Sequence, residues 1–449
     1  MRLGLLGGGG FRVPLVYGAL LHDTHEGRVE EVVLYDTDAG RLAAIERTLA
    51  QLADETRPGL PAPTVVTTTS LDEALDGVDF VFSAIRVGGL AGRTCDERVA
   101  LDLGVLGQET TGPGGLAYGL RTIPVALDVA HRVARRSPNA WFINFTNPAG
   151  MITQAMRLVL GDRVIGICDS PIGLGRRAAR ALGVDPGTAD LAYLGLNHLG
   201  WLKGLSSDGI NVLPELIADT ELLHGFEEGR LFGAEWIQTI DALPNEYLYY
   251  YYFTRDALAA IKGSPQTRGE FLLDQQEAFY RAVAADPNSA LALWRRTRAE
   301  REATYMAESR GPDEARDQPD LDGGGYEGVA LSIMRAIMRG EQARLILNVA
   351  NGTTIPGLAP GAVVEVPCVV DAGGPRPLPS IGLDGHMYAL VQAMKTVEGL
   401  TISAALEGSE RLAVEAFALH PLVDSVTVAR QLLAGYRARI PSVDAVFRQ

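Results

Sequence analysis

Leu3-Gly4-Leu5-Leu6-Gly7-Gly8-Gly9-Gly10-Phe11 stands near the start of the chain, and Glu31-Val32-Val33-Leu34-Tyr35-Asp36 follows it. The first stretch reads as a short buried strand entering a glycine turn, with a helix over Phe11 to Leu21. The second reads as a strand whose last residue is acidic. Together they make a βαβ unit. Glycines without Cβ let backbone N–H groups approach a pyrophosphate, and the helix N-terminus favours its charge. Asp36 falls somewhat beyond the usual ~20 residues after the glycines, where a carboxylate takes the ribose hydroxyls and disfavours a 2′-phosphate. The pattern departs from a strict glycine fingerprint, because Phe11, Arg12 and Val13 occupy the third-glycine region. Gly7, Gly8, Gly9, Gly10, Phe11 and Asp36 are expected to bind NAD rather than NADP.

The alternation continues outward. Asp79 to Ile85 is a buried strand ending in Arg86-Val87-Gly88-Gly89, and Ala140 to Phe145 is another, ending in Thr146-Asn147-Pro148. Val164 to Ile167 stops at Cys168-Asp169-Ser170-Pro171, and Ala192 to Leu196 stops at Asn197-His198, with a helix over Ile172 to Leu182 between them. Strands and helices at this rhythm predict a parallel sheet with ligands beyond the carboxyl ends of its strands. Cys168 and His198 are expected side by side at neighbouring strand ends, half of a site for a borderline-soft divalent metal. Taken singly, each has a plainer reading: a thiol packed like a small hydrophobe and a hydrogen-bonded loop histidine.

Arg86 through Arg121 is denser in polar residues than a plain connection requires. It holds Arg86, Arg93, Asp96, Glu97 and the run Gln108-Glu109-Thr110-Thr111-Gly112-Pro113. An arginine in the loop after a central strand is well placed to meet an anion, because guanidinium binds phosphate bidentately.

After Trp201 the pattern changes. Helical stretches near Pro214–Leu223 and Glu235–Leu243 lead to the cluster Pro244-Asn245-Glu246-Tyr247-Leu248-Tyr249-Tyr250-Tyr251-Tyr252, then to the polar turn Ser264 to Glu270 with Arg268. Tyrosines at helical spacing are ordinarily core residues with a bonded hydroxyl. Ala307 to Gly323 is charged and expected to be exposed. Gly328 to Gly340 is an amphipathic helix, and Leu345–Val349 with Val363–Pro367 reads as an antiparallel pair. Three helices follow, near Met387–Leu406, Ser409–Ala418 and Ser425–Tyr436. The expected fold is α/β, an N-terminal Rossmann-type parallel sheet (1–195) packed on a mixed α+β C-terminal domain (196–449) of malate-dehydrogenase-like type.

Composition narrows the function. The 449 residues are 47% hydrophobic and 21% charged, ordinary for a globular protein, and too many for one small core. A formal net charge of -15 argues against nucleic acid, which needs clustered Lys and Arg. Three cysteines, 95, 168 and 368, make no disulfide framework and fit a reducing cytoplasm. The N-terminal apolar stretch is too short for a signal peptide, and no apolar run approaches a membrane span. A cytoplasmic protein is expected.

Several stretches together carry a resemblance over essentially the whole chain. The glycine turn, Gln108-Glu109-Thr110, Asn144-Phe145-Thr146-Asn147-Pro148, Cys168-Asp169-Ser170-Pro171, Asn197-His198, Pro244-Asn245-Glu246-Tyr247 and Asn351-Gly352 resemble family 4 glycoside hydrolases, most of all their 6-phospho-β-glucosidase branch. That family is an exception to two-carboxylate glycoside hydrolysis. The resemblance implies NAD and a divalent metal, usually manganese. It implies a reaction in which NAD oxidises carbon 3, a tyrosine removes the carbon 2 proton, the aglycone leaves carbon 1, water adds back and the cofactor is regenerated.

By the same resemblance, Cys168 and His198 match the metal ligands and Tyr247 the base, with Tyr250 in reserve. Arg86, Arg93 and Arg268 match positions that hold a 6-phosphate, and Asn147 one that contacts sugar hydroxyls. Glu109 matches a residue near the metal and nicotinamide, and Asn144 is assigned to the cofactor loop. A tyrosine with a pKa near ~10 is a poor base at neutral pH, so Tyr247 must neighbour the metal. Asp169 departs from many β-specific members, which carry Asn there; it implies an acid for the leaving group or the other anomer. An α-glucoside, an unphosphorylated sugar or a uronide stays open as substrate. A malate-type 2-hydroxyacid dehydrogenase and a non-catalytic nucleotide sensor are the rival readings. The partner is a phosphorylated glycoside, with no nucleic acid or membrane, and the family implies a homodimer or homotetramer.

Overall fold

The computed structural model describes residues 1–57, 61–306 and 325–448. Its parallel half consists of β1 (Arg2–Leu6), β2 (Glu31–Tyr35), β3 (Thr64–Thr68), β4 (Phe80–Ser83), β5 (Trp141–Asn144) and β6 (Val164–Gly166). They run in the order β3-β2-β1-β4-β5-β6. The chain thus winds outward from β1 in both directions, which opens a crevice at the carboxyl ends of β1 and β4. β1, β2 and β4 are buried on both faces, because helices cover each side; this is why they read as continuous apolar runs rather than alternating ones.

The remaining strands are β7 (Asp190–Leu196), β8 (Leu199–Ser207), β9 (Ile210–Asn211), β10 (Leu243–Pro244), β11 (Ala343–Ala350), β12 (Val363–Asp371) and β13 (Gly374–Pro377). β11 joins β6 antiparallel, and the sheet continues through β12, β7, β8 and β10. Among the described residues one 13-stranded sheet therefore runs through both halves of the chain without a break at residue 195.

One expectation is corrected here. β6 and β7 are not neighbours, since β11 and β12 lie between them. β11 and β12 form a ladder of eight residue pairs from Ala343↔Val370 to Ala350↔Val363. Their inner halves are buried, so the pair needs a strand on each edge. Glycines admit it: Asn348 pairs with Gly166 and Glu365 with Gly195. A Cβ on Gly166 would lie 2.7 Å from Asn348 Cβ, whereas one on Gly195 would meet its other neighbour β8, 2.2 Å from the Leu199 carbonyl oxygen.

The helical boundaries shift where a polar side chain intervenes. The stretch expected as one helix near Pro214 is two, Leu213–Ala218 and Thr220–His224, because Asp219 accepts from the N–H groups of Glu221 and Leu222. The next helix ends at Ile240 rather than Leu243, because Asp241 turns left-handed (φ 50°) and Leu243–Pro244 pairs with β8. The amphipathic helix runs Tyr326–Arg339, and the C-terminal helices run Gly385–Glu407, Glu410–Leu419 and Val426–Arg439. Ala307 to Gly323 lies outside the described residues. No helix among them is long and apolar enough to cross a membrane.

Candidate active site

The carboxyl ends of the parallel strands open into a cavity of about 1550 Å³. That is large for one small ligand and leaves room for a dinucleotide beside a sugar. Gly7, Gly10, Phe11, Arg12 and Asp36 of the glycine turn and β2 line it, with Arg86, Arg93, Glu109 and Arg268, and Asn147, Cys168, Asp169, His198, Tyr247 and Tyr250 also border it.

The glycine turn is built for close approach. Gly7 adopts φ 85°, and the N–H groups of Gly7 and Gly8 both donate to the Tyr35 carbonyl, at 2.9 and 2.7 Å. A Cβ on Gly8 would stand 2.6 Å from Leu34 Cβ, and one on Gly9 would stand 2.8 Å from Arg41 Cβ. The Gly9 N–H donates to Asp36 Oδ2 at 3.1 Å, so the acidic end of β2 steadies the loop as well as bordering the cavity. Gly8 and Gly9 thus serve the turn, whereas the N–H groups of Phe11 and Arg12 meet no acceptor among the described residues. Two donors without partners at the start of helix Val13–Leu21 stand where a helix N-terminus favours negative charge. Donors from distant helices hold the opposite face of this loop. Tyr280 Oη donates to the Gly9 carbonyl at 2.6 Å, Trp294 Nε1 to Phe11 at 2.8 Å and Tyr326 Oη to Arg12 at 3.1 Å.

The polar stretch after β4 separates into scaffold and site. Arg121 makes a fully buried bidentate pair with Asp96 at 2.7 Å, and its Nε holds the Val87 carbonyl, which fixes the loop carrying Arg86. Glu97 binds Arg93 Nε at 2.9 Å and the Gly269 N–H at 2.8 Å, joining this loop to the Arg268 turn. Glu109 faces the cavity between Arg86 (2.7 Å) and Arg93 (2.9 Å). Burial pushes its carboxyl up, but the two guanidinium groups outweigh it and hold it at about 2. Arg268 donates to Thr304 Oγ1 at 2.6 Å and to the Arg301 carbonyl at 2.8 Å.

Cys168 follows β6, and His198 stands in the two-residue turn between β7 and β8, with φ 61°. Although two strands separate β6 from β7, both side chains border the one cavity. The His198 and Tyr247 rings stack with centroids 3.6 Å apart and planes 8° apart. Burial lowers the imidazole to about 4, so it is neutral with a lone pair available. Burial, with Glu365 and Asp169 nearby, pushes the Cys168 thiol well up; burial, then Glu246, does the same to the Tyr247 phenol. A cation here would favour both anions at once. A thiol and an imidazole suit a borderline-soft divalent metal, and among the described residues no group of three or more His, Cys, Asp and Glu lies together that could hold a metal ion. The residues fit the metal, and the Phe11 and Arg12 donors fit a dinucleotide.

Three assigned residues do not border the cavity: Gly8 and Gly9, which serve the turn, and Asn144. Asn144 is fully buried, and its amide donates to Thr146, Ala149 and Thr153 while its Oδ1 accepts the Thr146 N–H, so it shapes the turn that presents Asn147. Asn147 precedes a cis bond to Pro148 and lines the cavity. Tyr250 is 1% exposed, against 9% for Tyr247, and does not stack on His198.

Three cavity residues carry no motif signal. Arg12 lies over the Phe145 and Tyr326 rings at 5.4 and 5.2 Å, near Asp169. Arg301 borders the cavity from the last turn of helix Ala290–Ala303, and its guanidinium is held well below its usual range by burial and by Arg12, Arg268 and Arg93. Such mutual repulsion is what an anion relieves. Tyr305 Oη bonds Tyr247 Oη at 2.9 Å and donates to Glu246 Oε1 at 2.7 Å. Only Arg12, adjoining the glycines, had a positional cue in the sequence.

Comparison with known proteins agrees over the same span. The model described as family 4 glycosyl hydrolase matches residues 2–184, and that described as family 4 glycosyl hydrolase C-terminal domain matches residues 193–423. A probable 6-phospho-beta-glucosidase of Bacillus subtilis is 32% identical over 442 residues, which cover 96% of this chain and 95% of the relative. Among solved structures, a 6-phospho-alpha-glucosidase from gut microorganisms in complex with NAD and Mn2+ matches at 28% identity and TM-score 0.81, covering 99% of this chain and 98% of that one. The 6-phospho-beta glucosidase of Thermotoga maritima with manganese, NAD+ and glucose-6-phosphate matches at 26% and TM-score 0.81, covering 98% of each chain.

Proposed function

The chain belongs to family 4 of the glycosyl hydrolases, and on that footing we propose that it hydrolyses 6-phospho-β-glucosides with NAD and a divalent metal, manganese first. The observation that carries the reading is the stack of Tyr247 on His198 in the cavity bordered by Cys168 and the glycine loop. When bound, NAD would supply reversible oxidation at sugar carbon 3, and the metal would stabilise the charge that develops as the carbon 2 proton leaves.

The chain's own groups do the rest. The Phe11 and Arg12 N–H groups would hold the pyrophosphate and Asp36 the ribose; Cys168 and His198 would hold the metal. Tyr247 takes the carbon 2 proton, with its hydroxyl oriented by Tyr305. Asp169 starts helix Ser170–Ala181 but makes no cap hydrogen bond, so its carboxyl is available to protonate the leaving oxygen. Arg86, Arg93 and Arg268 would hold the 6-phosphate and Asn147 a sugar hydroxyl, while Glu109 keeps two of the arginines aligned between turnovers. The proposal extends to a homodimer or homotetramer in the cytoplasm, with cofactor binding assigned to 1–195, which also supplies Arg86, Arg93, Asn147, Cys168 and Asp169, and the remaining substrate and metal residues and subunit contacts assigned to 196–449.

The test is a panel of α- and β-nitrophenyl glucosides, with and without 6-phosphate, under NAD and Mn2+. Turnover of the phosphorylated β-glucoside, lost in chelator and without net NADH, is expected. Preference for the α anomer or for an unphosphorylated sugar would replace the substrate, and stoichiometric NADH would replace the reaction.

A further inference from the structure

The turn that carries Glu109 also carries a device aimed at His198. Glu109 faces the arginines, and its neighbours face the other way. Gln108 Oε1 accepts the N–H groups of Thr110 and Thr111, both at 2.6 Å, and the Thr110 hydroxyl at 3.2 Å. Thr110 Oγ1 in turn lies 3.0 Å from His198 Nδ1. The loop is pressed into this shape by glycines at its back. A Cβ on Gly114 would lie 2.4 Å from the Gln108 carbonyl oxygen, and one on Gly115 would lie 2.2 Å from that of Thr110.

Direction decides the consequence. A carboxamide oxygen only accepts, so when the Thr110 hydroxyl donates to Gln108 Oε1 at 3.2 Å, the lone pairs of Thr110 Oγ1 remain for an N–H. We infer that Gln108 and Thr110 are positioning residues that fix His198 as the tautomer protonated on Nδ1, with Nε2 left as the nitrogen that can bind a metal. The opposite tautomer would put a proton on Nε2 and block it. The ring is then held at two places, by this bond at its edge and by Tyr247 over its face. A third restraint comes from the neighbouring side chain: Asn197, beside it, donates through Nδ2 to the buried Glu365 at 3.3 Å. A hydrogen bond to the non-ligating nitrogen is the usual means of setting both tautomer and orientation of a ligand histidine.

The inference rests on His198 being a metal ligand for its use, but not for its test. Nitrogen-15 NMR of histidine-labelled protein without metal, with the His198 signals assigned by their loss in His198→Gln, reads the tautomer directly. The wild type and Thr110→Ser are expected to carry the proton on Nδ1; Thr110→Val is expected to shift His198 toward the Nε2–H form. Mn2+ titration of the same proteins, followed by the electron paramagnetic resonance of free Mn2+, should show binding about 10- to 100-fold weaker in Thr110→Val and near wild type in Thr110→Ser. A wild-type proton on Nε2, or a Thr110→Val tautomer like the wild type, would overturn the inference. Mn2+ binding indifferent to His198→Gln would instead overturn the metal reading.

Discussion

Replacing Glu109 by Gln keeps the shape of the side chain and removes the one negative charge between Arg86 and Arg93. The carboxyl is held at about 2 against an ordinary 4.5, and a difference of that size corresponds to roughly 3 kcal/mol. Its side chain is 16% exposed and that of Arg93 6%, so solvent screens the pair little. Removing one partner of a buried ion pair costs about 3–5 kcal/mol when the other is left uncompensated; here Arg93 keeps Glu97, and Arg86 is the cation that loses its partner. The folded carboxyl lies below its unfolded value, so the stability is fully present above pH ~4.5, falls by more than half near pH 3 and vanishes below pH ~2. Urea unfolding followed by tryptophan fluorescence should therefore show Glu109→Gln less stable by roughly 3 kcal/mol at pH 7, with the gap narrowing by more than half near pH 3. Inorganic phosphate should recover part of the loss, since it can pair with the exposed guanidinium groups and binds only the folded form. A loss below about 1 kcal/mol at pH 7, or an equal loss at both pH values, would refute the assignment of Glu109 as counter-ion.

Three other outcomes are expected. Asp169→Asn should slow alkyl glycosides about 10²- to 10⁴-fold, the range of general acid catalysis, and nitrophenyl glycosides far less; equal slowing would remove the acid role. Trp294→Phe deletes the 2.8 Å bond to the Phe11 carbonyl and should weaken NAD about 5-fold, near 1 kcal/mol, while leaving Mn2+ titration unchanged; unaltered NAD affinity would show the loop needs no such clamp. Glu365 is fully buried, and burial raises its carboxyl to about 7 despite bonds from Asn348, Asn197 and Tyr193. An acid raised in the folded state loses stability as pH climbs from its unfolded value through the folded one, so Glu365→Gln should flatten the decline of stability between about pH 4.5 and 7. A wild-type slope in the variant would contradict this.

How much of this was legible beforehand depends on whether the physics is local. The glycine turn and the acidic end of β2 were, because φ 85° at Gly7, and the 2.6 Å at which a Cβ on Gly8 would meet Leu34, leave no place for a side chain. The parallel half was, because strands covered on both faces are apolar throughout. The strand β8 was not, since Gly200, Lys203 and Gly204 break its alternation, and its place is set by pairing with β7. The polar stretch from Arg86 to Arg121 announced itself by density alone. Nothing in it distinguished Asp96 and Arg121, which bolt a loop, from Arg86 and Glu109, which face the cavity.

Residue types and local spacing determined that there is a dinucleotide turn, a thiol and an imidazole at strand ends, and a tyrosine after Pro244-Asn245. Tertiary structure decided the rest: that β11 and β12 separate β6 from β7, that Tyr247 lies flat on His198, and that Arg12 and Arg301 share a cavity with Arg93 and Arg268. Those relations join residues tens to hundreds of positions apart, and the sequence of either partner carries no trace of the other. Conformation at a glycine is a property of one residue, whereas a charge, a stack or a hydrogen-bond direction belongs to a pair that only the folded chain brings together.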